Sequence, residues 1–153
     1  PRKHLFSICF SVERLPLFQP ENISKKDVFW GGIPTSWDYN FMTHFGDMII
    51  EPLQSFTIRA RRIFRDEELK HVMMHHCSGT LNLAQVLALS QEALRNPEMM
   101  RILGDKLNLF WVPDQNGQLL AVSGLFEPRY VLLSVGPTNM GEHHSQNFII
   151  TPS

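Results

Sequence analysis

The spacing of apolar positions divides the chain into alternating and helical stretches, and the stretch from Ser78 to Val112 organises the rest. Leu83, Leu87 and Leu94, with Val86 and Ala84, fall on one side at helical spacing and predict an amphipathic helix. Ser78 or Thr80 offers a hydroxyl that can accept a first-turn N–H and is the expected cap. Asn96-Pro97-Glu98 predicts a second, short helix: Asn as cap, Pro where no N–H is needed, and an acid in the first turn. Gly104 is expected to end that helix in the left-handed conformation. Leu107 to Val112 then reads as a strand. The apolar face of the helical pair must be covered, and the flanking strands are the expected cover.

Before that stretch, His4 to Leu15 alternates, with Phe6, Ile8, Phe10 and Val12 on the apolar side, and predicts a strand. Pro16 to Lys26 is expected as loop or edge, and Trp30-Gly31-Gly32-Ile33-Pro34 as turn. Trp37, Tyr39 and Phe41 alternate, which predicts a short strand with an aromatic face. Gln54 to Arg65 predicts a half-buried strand: Phe56, Ile58 and Ala60 face one side, Thr57, Arg59 and Arg61 the other. Asp66-Glu67-Glu68 marks a turn, and Leu69 to Cys77 fits either strand or helix. After the helical pair, Asn116-Gly117 predicts a tight hairpin between Leu107–Val112 and Gln118–Val122. Tyr130 to Val135 is a further strand, and from Gly136 onward the chain reads as loop, with Ile149-Ile150 as its last apolar anchor. The sum is α+β: a mostly antiparallel mixed sheet packed against a helical pair.

Composition narrows the class. The chain has 153 residues, 43% apolar and 19% charged, which suits a single globular domain spanning 1–153. Its apolar runs are too short for a bilayer span. Pro1-Arg2-Lys3 does not resemble a secretory leader, and the start without Met is expected of a piece excised from a larger subunit. Two cysteines give no disulfide framework. The net charge of −1 means that any contact with nucleic acid requires a local basic patch.

Four constellations invite chemistry. His71, His75, His76 and Cys77 carry metal-ligating atoms, but a structural zinc needs four converging ligands and only three of these can point together, so no metal is expected. His143-His144 beside Ser145 lacks an orienting acid and oxyanion donors, so no catalytic residue is assigned. Trp30-Gly31-Gly32 lacks the lysine and the strand-to-helix context of a phosphate loop. No cofactor is expected. Arg59, Arg61, Arg62 and Arg65 form the densest basic cluster and are the candidate RNA contact; the competing reading is a solvated face balanced by Asp66, Glu67 and Glu68.

The order of short motifs resembles a known family. Phe-Ser-x-x-Phe at 6–10, Ser-Phe-Thr-Ile-x-Ala-Arg-Arg at 55–62, Ser-Gly at 78–79, Ser-Gln-Glu at 90–92 and Gly-Asp-x-Leu-Asn at 104–108 run in step with the cap-binding domain of the orthomyxovirus polymerase basic protein two. Leu-Leu at 119–120 and Arg-Tyr-Val-Leu-Leu at 129–133 continue the series. The departures suggest a distant, thogotovirus-like branch. The resemblance implies a non-catalytic module of a heterotrimeric viral RNA-dependent RNA polymerase, working in the host nucleus and carried in the virion. Its implied partners are the other polymerase subunits and viral or host RNA, with no membrane. In that family the domain holds the 7-methylguanosine cap of a host transcript during cap snatching. Two aromatic rings sandwich the cationic base, an acid accepts from the guanine edge, and a lysine meets O6.

Carried over residue by residue, that clamp is missing. Leu89 stands where the family has Phe, Ile50 where it has His or Trp, and Gln54 where it has Glu. The lysine position falls on Asp66 or Leu69. Phe6 and Phe56 remain as flanking aromatics. A micromolar cap site corresponds to ~8 kcal/mol, and losing two stacking partners removes ~2–6 kcal/mol of it. The expectation is the family fold without the family pocket. The competing expectation is a working cap reader with a rebuilt pocket, in which Trp111 or Trp37 supplies a ring.

Overall fold

A computed structural model describes residues 7–13, 29–30, 33–37, 39–48, 54–63, 79–135 and 147–153. Eight strands and three helices are defined in them: β1 (Ser7–Val12), β2 (Phe29–Trp30), β3 (Ile33–Trp37), α1 (Tyr39–Phe45), β4 (Phe56–Ile63), α2 (Leu83–Arg95), α3 (Pro97–Leu103), β5 (Leu107–Pro113), β6 (Leu119–Glu127), β7 (Tyr130–Val135) and β8 (Asn147–Pro152). The strands form one mixed sheet in the order β1-β4-β8-β5-β6-β7-β3-β2. Only β5–β8 and β3–β7 pair in parallel; the other pairings are antiparallel. The architecture is α+β, with the helical pair α2–α3 against the sheet, as the apolar pattern predicts.

Alternation sorts the sheet into two faces. Phe10 and Val12 of β1, Ile58 and Ala60 of β4, Phe148 and Ile150 of β8, Phe110 and Val112 of β5, Val122 and Phe126 of β6, and Val131 and Leu133 of β7 share one buried cluster with the helices. From α2 and α3 come Leu83, Val86, Leu87, Leu89, Ala93, Met99, Ile102 and Leu103. Burying each large aliphatic side chain contributes about 1.5–3 kcal/mol.

The helix ends show which polar side chains decide the boundaries. Asn82, not Ser78 or Thr80, caps α2: its side chain accepts from the Gln85 N–H at 2.8 Å, and Gln85 accepts from the Asn82 N–H at 2.9 Å. This reciprocal box requires the residue directly before the first helical position, and Thr80 stands too far upstream. Asn96 both closes α2, through its N–H to the Glu92 carbonyl, and caps α3, accepting from Glu98 and Met99 as its spacing predicts. Gly104 departs from expectation. Its backbone is extended (φ −69°), and Asp105 takes the left-handed conformation at φ 58°. A Cβ at Gly104 would collide with the Met100 carbonyl oxygen and sulfur, so glycine is required there for space rather than for a positive φ.

Three further expectations are corrected. Trp37, Tyr39 and Phe41 do not form one strand, because β3 ends at Trp37 and α1 begins at Tyr39. The helical spacing of Phe41 and Phe45, both fully buried with ring centroids 4.7 Å apart, overrides the alternation. The segment around Trp30 and Ile33 is paired strand rather than turn alone. The largest correction is the tail: Asn147–Pro152 is not loop but a strand inside the sheet, between β4 and β5. Phe148, Ile149 and Ile150 are all buried, so β8 reads as a continuous apolar run rather than an alternating one.

The β5–β6 turn is also wider than a two-residue hairpin. Gly117 donates to the Asp114 carbonyl and Asp114 donates to the Gln118 carbonyl, with positive φ at Gly117 (80°) but not at Asn116. That is a type I turn followed by a glycine bulge. β6 then runs past the expected Val122 to Glu127, paired along all of β5 and β7. Gly124 sits inside it, where an added Cβ would press on Phe110, Phe126 and Leu133 at 3.1–3.4 Å.

Candidate functional site

The basic strand β4 is where the sequence places its candidate RNA contact, and its register decides which arginines can act together. Ile58 and Ala60 face the core, and Arg59 is exposed on the opposite face, where its Nη1 donates to Ser7 Oγ at 3.2 Å. Arg61 shares the Arg59 face by alternation. Arg62 does not: it follows Ala60 on the core side, opposite Phe148 of β8. Arg65 lies outside the described residues. The proposed four-arginine face is therefore split, because strand periodicity is two and adjacent arginines point to opposite sides.

On its own side, Arg62 lines a groove of about 330 Å³ together with Ile8, Glu98, Arg101, Ile102, Lys106 and Phe148. Three elements place these groups: β4 supplies Arg62, α3 supplies Glu98 and Arg101, and the turn after α3 supplies Lys106. Ile8, Ile102 and Phe148 give the groove an apolar floor. Arg101 is held by Glu98 one turn away, with Nη2 to Oε2 at 2.7 Å and Nε to Oε1 at 3.2 Å. Both side chains are more than half exposed. The hydrogen bond from Arg101 holds the Glu98 carboxyl below its ordinary pKa and, reciprocally, the Arg101 guanidinium above its own. The Lys106 ammonium reaches the Gly104 carbonyl at 3.4 Å. Among the described groove residues, Arg62, Arg101 and Lys106 are basic and Glu98 is acidic, a local concentration of basic groups in a chain of net charge −1.

Of the carried-over clamp positions, Leu89, Gln54 and Phe56 fall among the described residues. Leu89 is fully buried among the core side chains of α2. Gln54 is exposed just before β4, and Phe56 is half-buried at the start of β4 against the core. Phe6, Ile50, Asp66 and Leu69 lie outside the described residues. Trp111 is half-buried on β5 and alternates with the core-facing Phe110 and Val112, so it points away from the layer that holds Leu89. For Trp37 only the backbone is described. His71, His75, His76, Cys77, His143, His144 and Ser145 also lie outside the described residues; within those residues no cluster of metal-ligating side chains occurs.

The groove residues Glu98, Arg101 and Lys106 escape the sequence reading because they are scattered over two turns of chain and converge only through the packing of α3 on the sheet. The alternation of β4 was the one available signal, since it separates Arg62 from Arg59 and Arg61. Comparison with protein-family models, curated proteins and solved structures finds no match for this chain. No helix among the described residues is long and apolar enough to cross a membrane.

Proposed function

We propose that the chain is a non-catalytic module of a viral RNA-dependent RNA polymerase, built like the orthomyxovirus cap-binding domain but without its 7-methylguanosine clamp. The motif order along the chain supports the family reading, and the α+β sheet against a helical pair agrees with it. One observation supports the loss of the clamp: Leu89, at the position of a stacking ring, is fully buried, while Gln54, at the position of the acid, is a neutral and exposed amide. An aliphatic side chain in the core offers no ring to a cationic base, and an amide lacks the charge that stabilises it. The module then serves as scaffold and contact surface for the other polymerase subunits and for RNA.

The test is a paired titration of the 153-residue chain with 7-methyl-GTP and GTP. The clamp gains its selectivity from the methyl-induced charge, so its absence predicts equal affinities for the two nucleotides. Low-micromolar binding of 7-methyl-GTP with about tenfold or greater preference over GTP, roughly 1.4 kcal/mol, would overturn the reading.

A further inference from the structure

The groove between α3 and the β1-β4-β8 end of the sheet carries an inference that goes beyond the polymerase reading and does not depend on it. We infer that it is a recognition site for the phosphate of a nucleotide unit, with Arg62, Arg101 and Lys106 as the phosphate ligands and the aliphatic Ile8 and Ile102 beside the nucleoside.

The chemistry points to phosphate. The cations arrive from three directions, one on a strand, one on a helix and one on a turn, and line a single depression. A phosphate presents several oxygens to converging donors, and guanidinium groups match it in bidentate geometry. A carboxylate presents one planar edge, and Glu98, the one carboxylate among the described groove residues, already takes the Arg101 fork in that way. Glu98 therefore holds Arg101 in place while the groove is empty and competes with an incoming anion. The volume of about 330 Å³ lies at the small end of the range for small-molecule sites and suits one nucleotide rather than a long duplex. The floor is aliphatic apart from Phe148, which is 1% exposed and offers no face for stacking. Recognition is therefore carried by the phosphate and is indifferent to base identity.

A nucleotide phosphate can be that of a free nucleotide or of single-stranded RNA, and the experiment separates the two. Fluorescence anisotropy of a labelled six-nucleotide single-stranded RNA is measured with the 153-residue chain, with ATP, adenosine and a hexaglutamate peptide as competitors. ATP is expected to displace the probe; adenosine and hexaglutamate are not. If the RNA binds more tightly than ATP, the site serves a strand, and if ATP binds as tightly or more so, it serves a free nucleotide. Arg101→Gln and Lys106→Gln are each expected to weaken binding about tenfold, whereas Glu98→Gln, which releases Arg101, strengthens it. Arg129→Gln, in the exposed β6–β7 turn, leaves it unchanged. The slope of log affinity against log salt is expected near −2, about 0.7 for each of the three cations. The inference is overturned if no probe binds, if hexaglutamate competes as well as ATP, if Arg129→Gln weakens binding as much as Arg101→Gln, or if Glu98→Gln weakens it. Arg101 and Glu98 are both well exposed, so their variants keep the fold, and the opposite signs expected of them separate a lost ligand from a damaged protein.

Discussion

Strand β5 has two neighbours of opposite character. On one side β6 follows it through a short turn, and seven residue pairs match along its whole length. On the other side β8 arrives from far along the chain, runs parallel, and pairs with only three residues of β5. The first neighbour is local and held at its turn; the second is remote and held by burial. Asp114 shows how firmly the turn is fixed. Its Oδ1 accepts from the N–H groups of Asn116 at 2.8 Å and Gln118 at 2.9 Å, and Oδ2 lies 3.2 Å from His44 Nδ1 of α1. Gln115 adds its N–H to the His44 carbonyl and its Nε2 to the Thr43 carbonyl, and Asp47 N–H donates back to Gln115 Oε1. The β8 side has no such polar clamp among its described contacts; Phe148, Ile149 and Ile150 hold it through the core. The lesson is that polar chemistry fixes the local neighbour, and hydrophobic burial fixes the distant one.

Deleting Asn147–Ser153 is the harshest way to break that contrast. β4 and β5 would each lose a partner, and the core would lose Phe148 and Ile150. Large-to-small changes at single core positions already cost about 2–5 kcal/mol, and a domain has only about 5–15 kcal/mol in total. The truncated chain is expected to show no cooperative thermal unfolding transition by calorimetry.

Asn108 tests the centre, because it stands opposite Phe148 on β8 and Gly124 on β6. Its buried Nδ2 lies 3.1–3.2 Å from the carbonyls of Leu103, Lys106 and Gly124, joining α3, its turn and β6. Asn108→Leu is expected to cost about 2 kcal/mol by leaving those carbonyls without a donor, and Asn108→Asp about 3 kcal/mol or more by setting a carboxylate against them. Urea denaturation measures both, and a cost below that of an exposed-site control would sink the assignment.

Asp114 probes the hairpin side and has the smallest expected effect. Burial pushes its carboxyl pKa up, but the Asn116 and Gln118 N–H groups and the His44 ring outweigh that and hold it below the ordinary value. A depressed folded-state pKa contributes stability above the unfolded-state value of about 3.9, and that contribution is lost as pH falls through the lower folded-state value. Asp114→Asn is therefore expected to cost about 1–2 kcal/mol at pH 7, and the difference from the parent chain shrinks below about pH 4. Denaturation midpoints at pH 7 and pH 3 check the sign.

The same contrast explains what the sequence revealed. Tyr130–Val135, the Asn96-Pro97-Glu98 helix start and the β5–β6 pairing were legible because each depends on neighbours in the chain. The helical pair was legible from its 3.6-residue spacing. β8 was not, because a strand buried on both faces loses its alternation, and Pro152 at its end reads as a terminator. Leu89 could be read as a missing ring, yet only packing shows it deep in the core. The arginines of β4 read as one patch in composition and as two faces in space. Arg101 and Lys106 carry no motif and Glu98 reads only as a first-turn acid, since their meeting with Arg62 is produced by how α3 sits on the sheet.

The position of β8 also decides what joins the two halves of the sheet. The meander of β5, β6 and β7 can zip up from short turns, whereas β4 meets β5 nowhere in the sheet except through β8. The β1–β4 ribbon and the meander are therefore joined in the described sheet through Asn147–Pro152, a long-range pairing that carries the entropy cost of closing a long loop. β8 is thus the keystone of the described sheet.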